Sequence, residues 1–524
     1  MSEKLKVMAE SVRSAYAAGE EDEQLLPRVL VDAEGAPVGR IGDGDLVIFY
    51  DIRGEREIEL TSAFIEPDFP HFDTGGRVAR FTTMIEYHSE LPVKVAFPPE
   101  TRIRGTMVET ITSAGMKLSK VVESEKAIHL SYFLNGKREA PFPGEDMEVI
   151  ESPRDVNNHD EKPEMASRKV ADKVIEKLRG DSSVIVVNFA NVDVLAHIEN
   201  ENAVIQGIEA VDRELGRVLS EARSQGVTAL VTADHGSAEK WYYPDGTVDT
   251  GHTNSPVPFV LADDNMKNAK LEPGGDLTWV APTVLSLLGL KKPEEMTGQS
   301  LVKSDTDMRA NRLLLVILDG WGYSDDDFGN LVRKADTPTM DGLQAEYPFT
   351  TILASGEWVG MPEGKVGNSE AGHLHMGAGR RILSDRLRID NAIAEGSFHD
   401  NQALLAPMQA AVEEGRPLHL LGIVSFYSSH GSVDHLYALL EMAKQKGVST
   451  VYHHALLGRR GERPEAGARY IDDVERFCEK LGLGRVVTVM GRFWALDRED
   501  NWNRVEKAYR ALADGQGVHV PDRS

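Results

Sequence analysis

The chain has 524 residues, 41% of them hydrophobic and 27% charged, which is enough for more than one hydrophobic core. Its 84 acidic residues outweigh 58 basic ones, giving a formal charge of −26 that argues against sequence-independent nucleic-acid binding. The single cysteine, Cys478, excludes an internal disulfide framework, and no signal-like opening or apolar run of about 18 residues is present. The expectation is a cytoplasmic monomer with no nucleic-acid or membrane partner.

The first hundred residues open on a helical stretch and continue through the strand-like DGDLVIFY and VKVAFPP. From residue 162 the pattern alternates. PEMASRKVADKVIEKLRG reads as a helix, SSVIVVNFA as a buried strand, ENAVIQGIEAVDRELGRVLSEARSQG as a long helix and VTALVTADHG as another strand. In the long helix Val204, Ile208, Val211, Leu215 and Val218 fall at helical spacing. KSDTDMRAN at 303–311 is linker-like and precedes the strand RLLLVILDGWG. RPLHLLGIVSF, STVYHHALLG and RVVTVMG follow as strands, separated by the helical DHLYALLEMAKQKG and ARYIDDVERFCEKLG. Apolar strands alternating with helices predict an α/β protein with mostly parallel sheets covered on both faces.

In such sheets ligands bind beyond the carboxyl ends of the strands, so the residues that follow each apolar run carry the information. SSVIVVNFANVDVLAH delivers Asp193 and, four residues on, His197. VTALVTADHG delivers Asp234 and His235, RLLLVILDGWG delivers Asp319, and His252 lies in the loop before VPFVLAD. Taken singly these residues read as helix starts, turns and loop histidines. Three carboxylates and three imidazoles at strand ends would repel severely without cations, and mixed nitrogen and oxygen donors suit Mn2+, Zn2+ or Co2+ better than Ca2+. Ser369 lies in GMPEGKVGNSEAGHLHMGAGR, between a glycine-rich loop and a helix start that favours an anion. It reads either as the N-cap of that helix or as a metal-activated nucleophile for phosphoryl transfer. His373 and His375 are assigned no catalytic role.

ILDGWG, ADTPTMDGL, YPFTTILASGEWVGMP, GNSEAGH, GAGR, VEKAYRAL, PFPGED, NFAN, TADHG and MTGQSLV together resemble the 2,3-bisphosphoglycerate-independent phosphoglycerate mutases of the alkaline phosphatase superfamily. The order differs: in that family ILDGWG stands near the N-terminus and MTGQSLV near the C-terminus, whereas here MTGQSLV runs through 303–311 into RLLLVILDGWG. The resemblance therefore implies a circular permutant with a continuous phosphatase-type domain at 101–383, including the 303–311 linker. A smaller α/β transferase domain is then divided between 1–100 and 384–524. It further implies two divalent metal ions, Mn2+ first and Zn2+, Co2+ or Mg2+ as alternatives. Asp193, His197 and His252 would hold one; Asp319, Asp234, His235 and Ser369 would hold the other. Lys126 would lie near the transferred phosphate, and Arg53, Arg56, His430, Arg459, Arg492 and Arg498 would bind the phosphorylated acid.

Departures from the family gather on the glycerate side. SFYSSHGS at 425–432 stands where the family reads close to SDGGVHSH, placing Phe426 at an acidic position. LLGRR at 456–460 replaces LDGRD, so Leu457 and Arg460 stand where acids are expected, and IRGER replaces FRPDR. Arginine is no general base near neutral pH, so the return of phosphate to a second hydroxyl is the step most affected. The leading expectation is interconversion of 3- and 2-phosphoglycerate through phospho-Ser369. A metal-dependent phosphomonoesterase or phosphotransferase acting on another small phosphorylated acid is the alternative, and a silent metal-binding scaffold is the third reading.

Overall fold

Two sheets, each built from a separate set of residues, organise the computed structural model, which describes residues 7–100, 102–156, 158–303, 308–425, 430–458 and 465–522. The chain divides into one unit of Glu100–Ser384 and a second of Met1–Pro99 with Asp385–Ser524. Among the described residues no helix is long and apolar enough to cross a membrane.

In the first unit the strand order is Phe349–Ile352, Val257–Ala262, Thr228–Thr232, Leu313–Leu318, Val184–Phe189, Leu118–Glu123 and Glu145–Ile150. Thr228–Thr232, Leu313–Leu318 and Val184–Phe189 pair in parallel at its centre, and only the pairings of Val257–Ala262 are antiparallel. Every residue of those three central strands is buried, which is why they read as unbroken apolar runs instead of alternating patterns. The long helix spans Glu201–Ser224. Asn200 caps it by accepting a hydrogen bond from the Ala203 N–H, and the predicted stripe from Val204 to Val218 is buried. Leu313–Leu318, the strand that follows the linker, fills the slot between Thr228–Thr232 and Val184–Phe189, so residues before and after the linker share one core.

The second unit carries an eight-stranded sheet in the order Val518–Pro521, Arg28–Val31, Arg485–Gly491, Val451–Leu457, Leu418–Ile423, Leu46–Phe49, Arg80–Ile85 and Lys94–Phe97. All pairings are parallel except that between Arg28–Val31 and Arg485–Gly491. Leu46–Phe49 pairs directly with Leu418–Ile423, so the two distant stretches of chain close a single sheet around a single core.

Candidate metal centre

The three central strands of the first unit all stop at acids. Asp319 immediately follows Leu313–Leu318. Asp234 and His235 stand two and three residues beyond Thr228–Thr232, and Asp193 lies in the short helix Asn191–Ala196 that follows Val184–Phe189. His197 ends that helix with Nε2 3.4 Å from Asp193 Oδ1, as the spacing of four requires. The turn after Asp319 needs glycine: Gly320 has φ +81°, and a Cβ there would lie 2.8 Å from the Asp193 backbone. Packing therefore presses two of the acids together.

Ser369 opens the helix Ser369–Ala378 but does not cap it. Asn368 does, accepting from the Ala371 N–H at 2.8 Å, which corrects the reading of Ser369 as an N-cap. The Ser369 hydroxyl is thereby freed from backbone duty. Its Oγ receives a hydrogen bond from Lys126 Nζ at 2.7 Å, donates to Asp319 Oδ1 at 3.1 Å and lies 3.1 Å from His235 Nε2. Gly372, one turn further on, lets this helix approach the Asp234 backbone so closely that a Cβ would lie 2.5 Å from the Asp234 carbonyl oxygen. Lys126 also donates to Asp193 Oδ2 at 2.6 Å and Asp319 Oδ1 at 2.8 Å, so one ammonium links the nucleophile candidate with two acids.

The imidazoles are placed as candidate ligands. Nδ1 of His197, His235 and His252 faces the carbonyls of Thr250, Gly236 and Gly367 at 2.8, 3.2 and 2.8 Å. A hydrogen on each Nδ1 would leave Nε2 facing inward to take a proton or a metal, the arrangement metal-binding histidines use. Those Nε2 atoms meet Asp193 Oδ1 at 3.4, 3.5 and 3.1 Å, and the His197 and His252 nitrogens lie 3.1 Å apart. Such crowding of lone pairs calls for a cation. Asp193 Oδ1 and Asp234 Oδ2 are buried without a hydrogen-bond donor, which fits the same need. Three sets of donor atoms each lie within 4.8 Å of one another: Asp193, His197 and His252; Asp193, His235 and Asp319; Asp234, Asp319 and His373.

The electrostatics agree with this. Burial pushes the Asp193 and Asp319 carboxyls up, but the Lys126 ammonium and facing imidazoles outweigh it and hold both well below the carboxylate range. Burial lowers His235, yet Asp234, Asp319 and Asp193 drive it up to about 10. Lys126 is likewise held above its usual value by Asp319, Asp193 and Asp234 in spite of burial. This anionic cluster collects any positive charge available to it, and a divalent ion supplies more than a proton does.

His373, passed over in the sequence, is buried beside this cluster, with Nδ1 2.8 Å from the Ser369 carbonyl and 3.3 Å from Asp234 Oδ2. Its Nε2 faces Asn188 Nδ2 at 3.1 Å, and Asn188 also donates to Asp319 Oδ2 at 2.7 Å. His373 Nδ1 and Nε2 are thus engaged by the Ser369 carbonyl and by Asn188, and the ring packs against the acids. Two signals were available: His373 stands four residues after Ser369 on the helix, and Asn188 interrupts an otherwise apolar strand.

Comparison with known proteins matches residues 40–292 to the Metalloenzyme superfamily and residues 389–523 to the family described as the BPG-independent PGAM N-terminus. The chain is 40% identical over 296 residues to a 2,3-bisphosphoglycerate-independent phosphoglycerate mutase of Moorella thermoacetica, covering 56% of this chain and 57% of that protein. A protein of the same name from Listeria welshimeri is 38% identical over 305 residues, 57% of this chain and 59% of that one. Over these stretches the chain is similar to the Metalloenzyme superfamily and to proteins named 2,3-bisphosphoglycerate-independent phosphoglycerate mutase. The chain spans a little over half the length of these relatives. A crystal structure of Leishmania mexicana phosphoglycerate mutase at low cobalt concentration is 32% identical over 52% of this chain and 53% of that one, with a TM-score of 0.37, too low to speak to the fold. The match to the Metalloenzyme superfamily and the donor clusters together indicate divalent-metal dependence.

The residues that the family resemblance assigns to the phosphorylated acid lie in the second unit. His430 and Arg492 are buried together, with His430 Nε2 3.1 Å from Arg492 Nη2. Arg56 donates to the Leu496 carbonyl at 3.1 Å, and Arg498 pairs with Glu55 at 2.6 Å. The segments 53–57 and 492–498 are thus tied together, although Arg53 and Arg498 are themselves exposed. Leu457 ends its strand fully buried, while Phe426, Arg459 and Arg460 lie outside the described residues.

Proposed function

We propose that the chain interconverts 3-phosphoglycerate and 2-phosphoglycerate through phospho-Ser369, independently of 2,3-bisphosphoglycerate. The observation that carries this reading is the freed Ser369 hydroxyl, held by Lys126, Asp319 and His235 at the start of a helix. Asp193, His197 and His252 would hold one divalent ion, and Asp234, His235, Asp319 and Ser369 a second, with Mn2+ the first choice for these donors. Bound there, such ions lower the pKa of a serine hydroxyl and polarise a phosphoryl oxygen. Lys126 offsets charge developing on Ser369 Oγ and the transferred group. Ser369 opens the Ser369–Ala378 helix, whose N-terminal end favours an anion, and Gly372 lets that helix pack close to the Asp234 backbone.

Arg53, Arg56, His430, Arg459, Arg492 and Arg498 are read as the glycerate-binding set, and the permuted chain order belongs to the same proposal. It is supported by the match of residues 389–523, the later part of this chain, to the family's N-terminus. In this reading the first unit is the phosphatase-type domain and the second the transferase.

Purified protein supplied with Mn2+ and 3-phosphoglycerate, but no bisphosphoglycerate, should yield 2-phosphoglycerate in an enolase-coupled assay. Ser369→Ala should remove that activity. Release of inorganic phosphate without 2-phosphoglycerate would replace the proposal with a phosphomonoesterase.

A further inference from the structure

One buried acid of the first unit lies behind the donor cluster and belongs to none of its three sets. Glu239 stands in the short turn Ala238–Lys240 that follows Asp234 and His235, and it is 0% exposed. Burying a carboxyl is costly unless donors meet its oxygens. Here both are met: Oε2 accepts from the Ser237 N–H at 2.9 Å, and Oε1 accepts from the Thr253 hydroxyl. The first donor is local, but the second comes from the loop that carries His252. Thr253 Oγ1 itself accepts from the Ser255 N–H at 3.2 Å, which leaves its hydrogen for Glu239.

The backbone makes room for this carboxyl on two sides. A Cβ on Gly236 would lie 2.6 Å from Glu239 Oε1, and one on Gly322 would overlap the carboxyl itself. Gly236 directly follows His235, and Gly322 lies just beyond Asp319. Two donor-bearing loops thus go without side chains around the same acid. Bonds between the loops close the arrangement. The Thr253 N–H donates to the Gly236 carbonyl at 3.0 Å, Ser237 Oγ donates to the Gly320 carbonyl at 2.8 Å, and the Gly320 N–H donates to Asp234 Oδ1 at 3.2 Å. The His235 and His252 rings stack with centroids 4.0 Å apart, so a shift of either loop misaims both imidazoles.

We propose that Glu239 is a positioning residue for divalent ions, locking the loops that carry Asp234 with His235, His252 and Asp319 into one frame. Its two oxygens are taken by Ser237 and Thr253, so it acts through the angle at which the donors are presented and gives no atom to an ion. The frame spans both donor sets of the proposed function. This inference rests on the metal part of that reading and is independent of the phosphoglycerate part. The strands behind the loops are fully buried, so breaking the Glu239–Thr253 link should leave the core standing and weaken ion binding instead.

Mn2+ titration calorimetry on the full chain, with no phosphoester present, compares Thr253→Val, Thr253→Ser and Glu239→Gln with the unaltered protein. Thr253→Val keeps the side-chain shape but removes the hydroxyl, and should weaken Mn2+ binding about 10- to 100-fold. Thr253→Ser restores the hydroxyl and should recover most of the affinity. Glu239→Gln attacks the link from the other side and leaves the Ser255 contact alone; it should weaken binding too, and adding Thr253→Val to it should cost little more. Urea unfolding of the metal-free proteins separates positioning from plain stability. Variants that lose metal-free stability yet bind Mn2+ as tightly as the unaltered chain would overturn the proposal, as would Thr253→Ser binding no better than Thr253→Val. An unaltered chain that takes up no Mn2+ would fell the metal reading and this inference together, whereas Mn2+ binding that depends on the link supports the inference even if no 2-phosphoglycerate forms.

Discussion

Each unit gathers buried acids at the ends of parallel strands, and the two neutralise them in different ways. In the first, Asp193, Asp234 and Asp319 face the Lys126 ammonium and the inward Nε2 atoms of three imidazoles, and the charges stay separated. In the second, burial outweighs the Arg492 guanidinium and pushes the Asp51 and Glu57 carboxyls above the carboxylate range. The same residue type is thus driven toward or away from ionisation according to the positive charge the fold delivers to it.

The comparison breaks first at Asp319, which contacts Lys126, His235, Asn188 and Ser369. Asp319→Ala should cost about 10^3-fold or more in turnover and lose bound metal, measured by the coupled assay and by elemental analysis. Next, Lys126→Met removes the resident cation and should destabilise the metal-free protein by about 3 kcal/mol in urea unfolding, with much of the loss recovered on adding Mn2+. Smaller again, Mn2+ at about 100 times its Kd should stabilise the unaltered protein by about 2.7 kcal/mol, and hydrogen exchange should map the gain to residues 100–384.

The smallest expected effect per step, about 1 kcal/mol for each pH unit, sharpens the other side. A carboxyl whose folded pKa is raised binds more protons folded than unfolded, so its stabilisation is present at low pH and lost as pH rises toward the folded value. Asp51 makes stability fall between about pH 4 and 7, at roughly 1 kcal/mol per pH unit. Glu475, pushed up to about 8 by burial, extends the fall in the same direction. The doubly substituted Asp51→Asn, Glu57→Gln chain should show a flatter dependence; an equal slope would mean that the pair is ionised in the native state.

What could be read from the residues follows the same division. Mostly apolar runs announced the strands, and the acids beyond them, Asp234 and Asp319, stood out together, since singly each also reads as a turn residue. Choosing between the two readings of Ser369 needed coordinates, since Asn368 and Ser369 are both good caps and only backbone geometry selects one. In DIRGER attention went to Arg53 and Arg56, yet Arg53 is exposed and the flanking Asp51 and Glu57 are buried. Burying acids runs against their usual preference, and only the fold reveals the donors that permit it. His373 escaped because its place beside Asp234 comes from a contact made across the chain.

The placement of Leu313–Leu318 has a consequence for biosynthesis. Its neighbours in the sheet, Val184–Phe189 and Thr228–Thr232, leave the ribosome earlier and must wait with their facing edges unpaired until the middle strand is made. During that interval the nascent chain exposes two apolar borders prone to wrong partners, and Asp319 arrives on the piece that closes the gap. Completion of the sheet and delivery of the last strand-end acid are therefore one event, so a ribosome-bound chain halted before residue 313 should hold neither a finished core nor a complete set of acids for a metal.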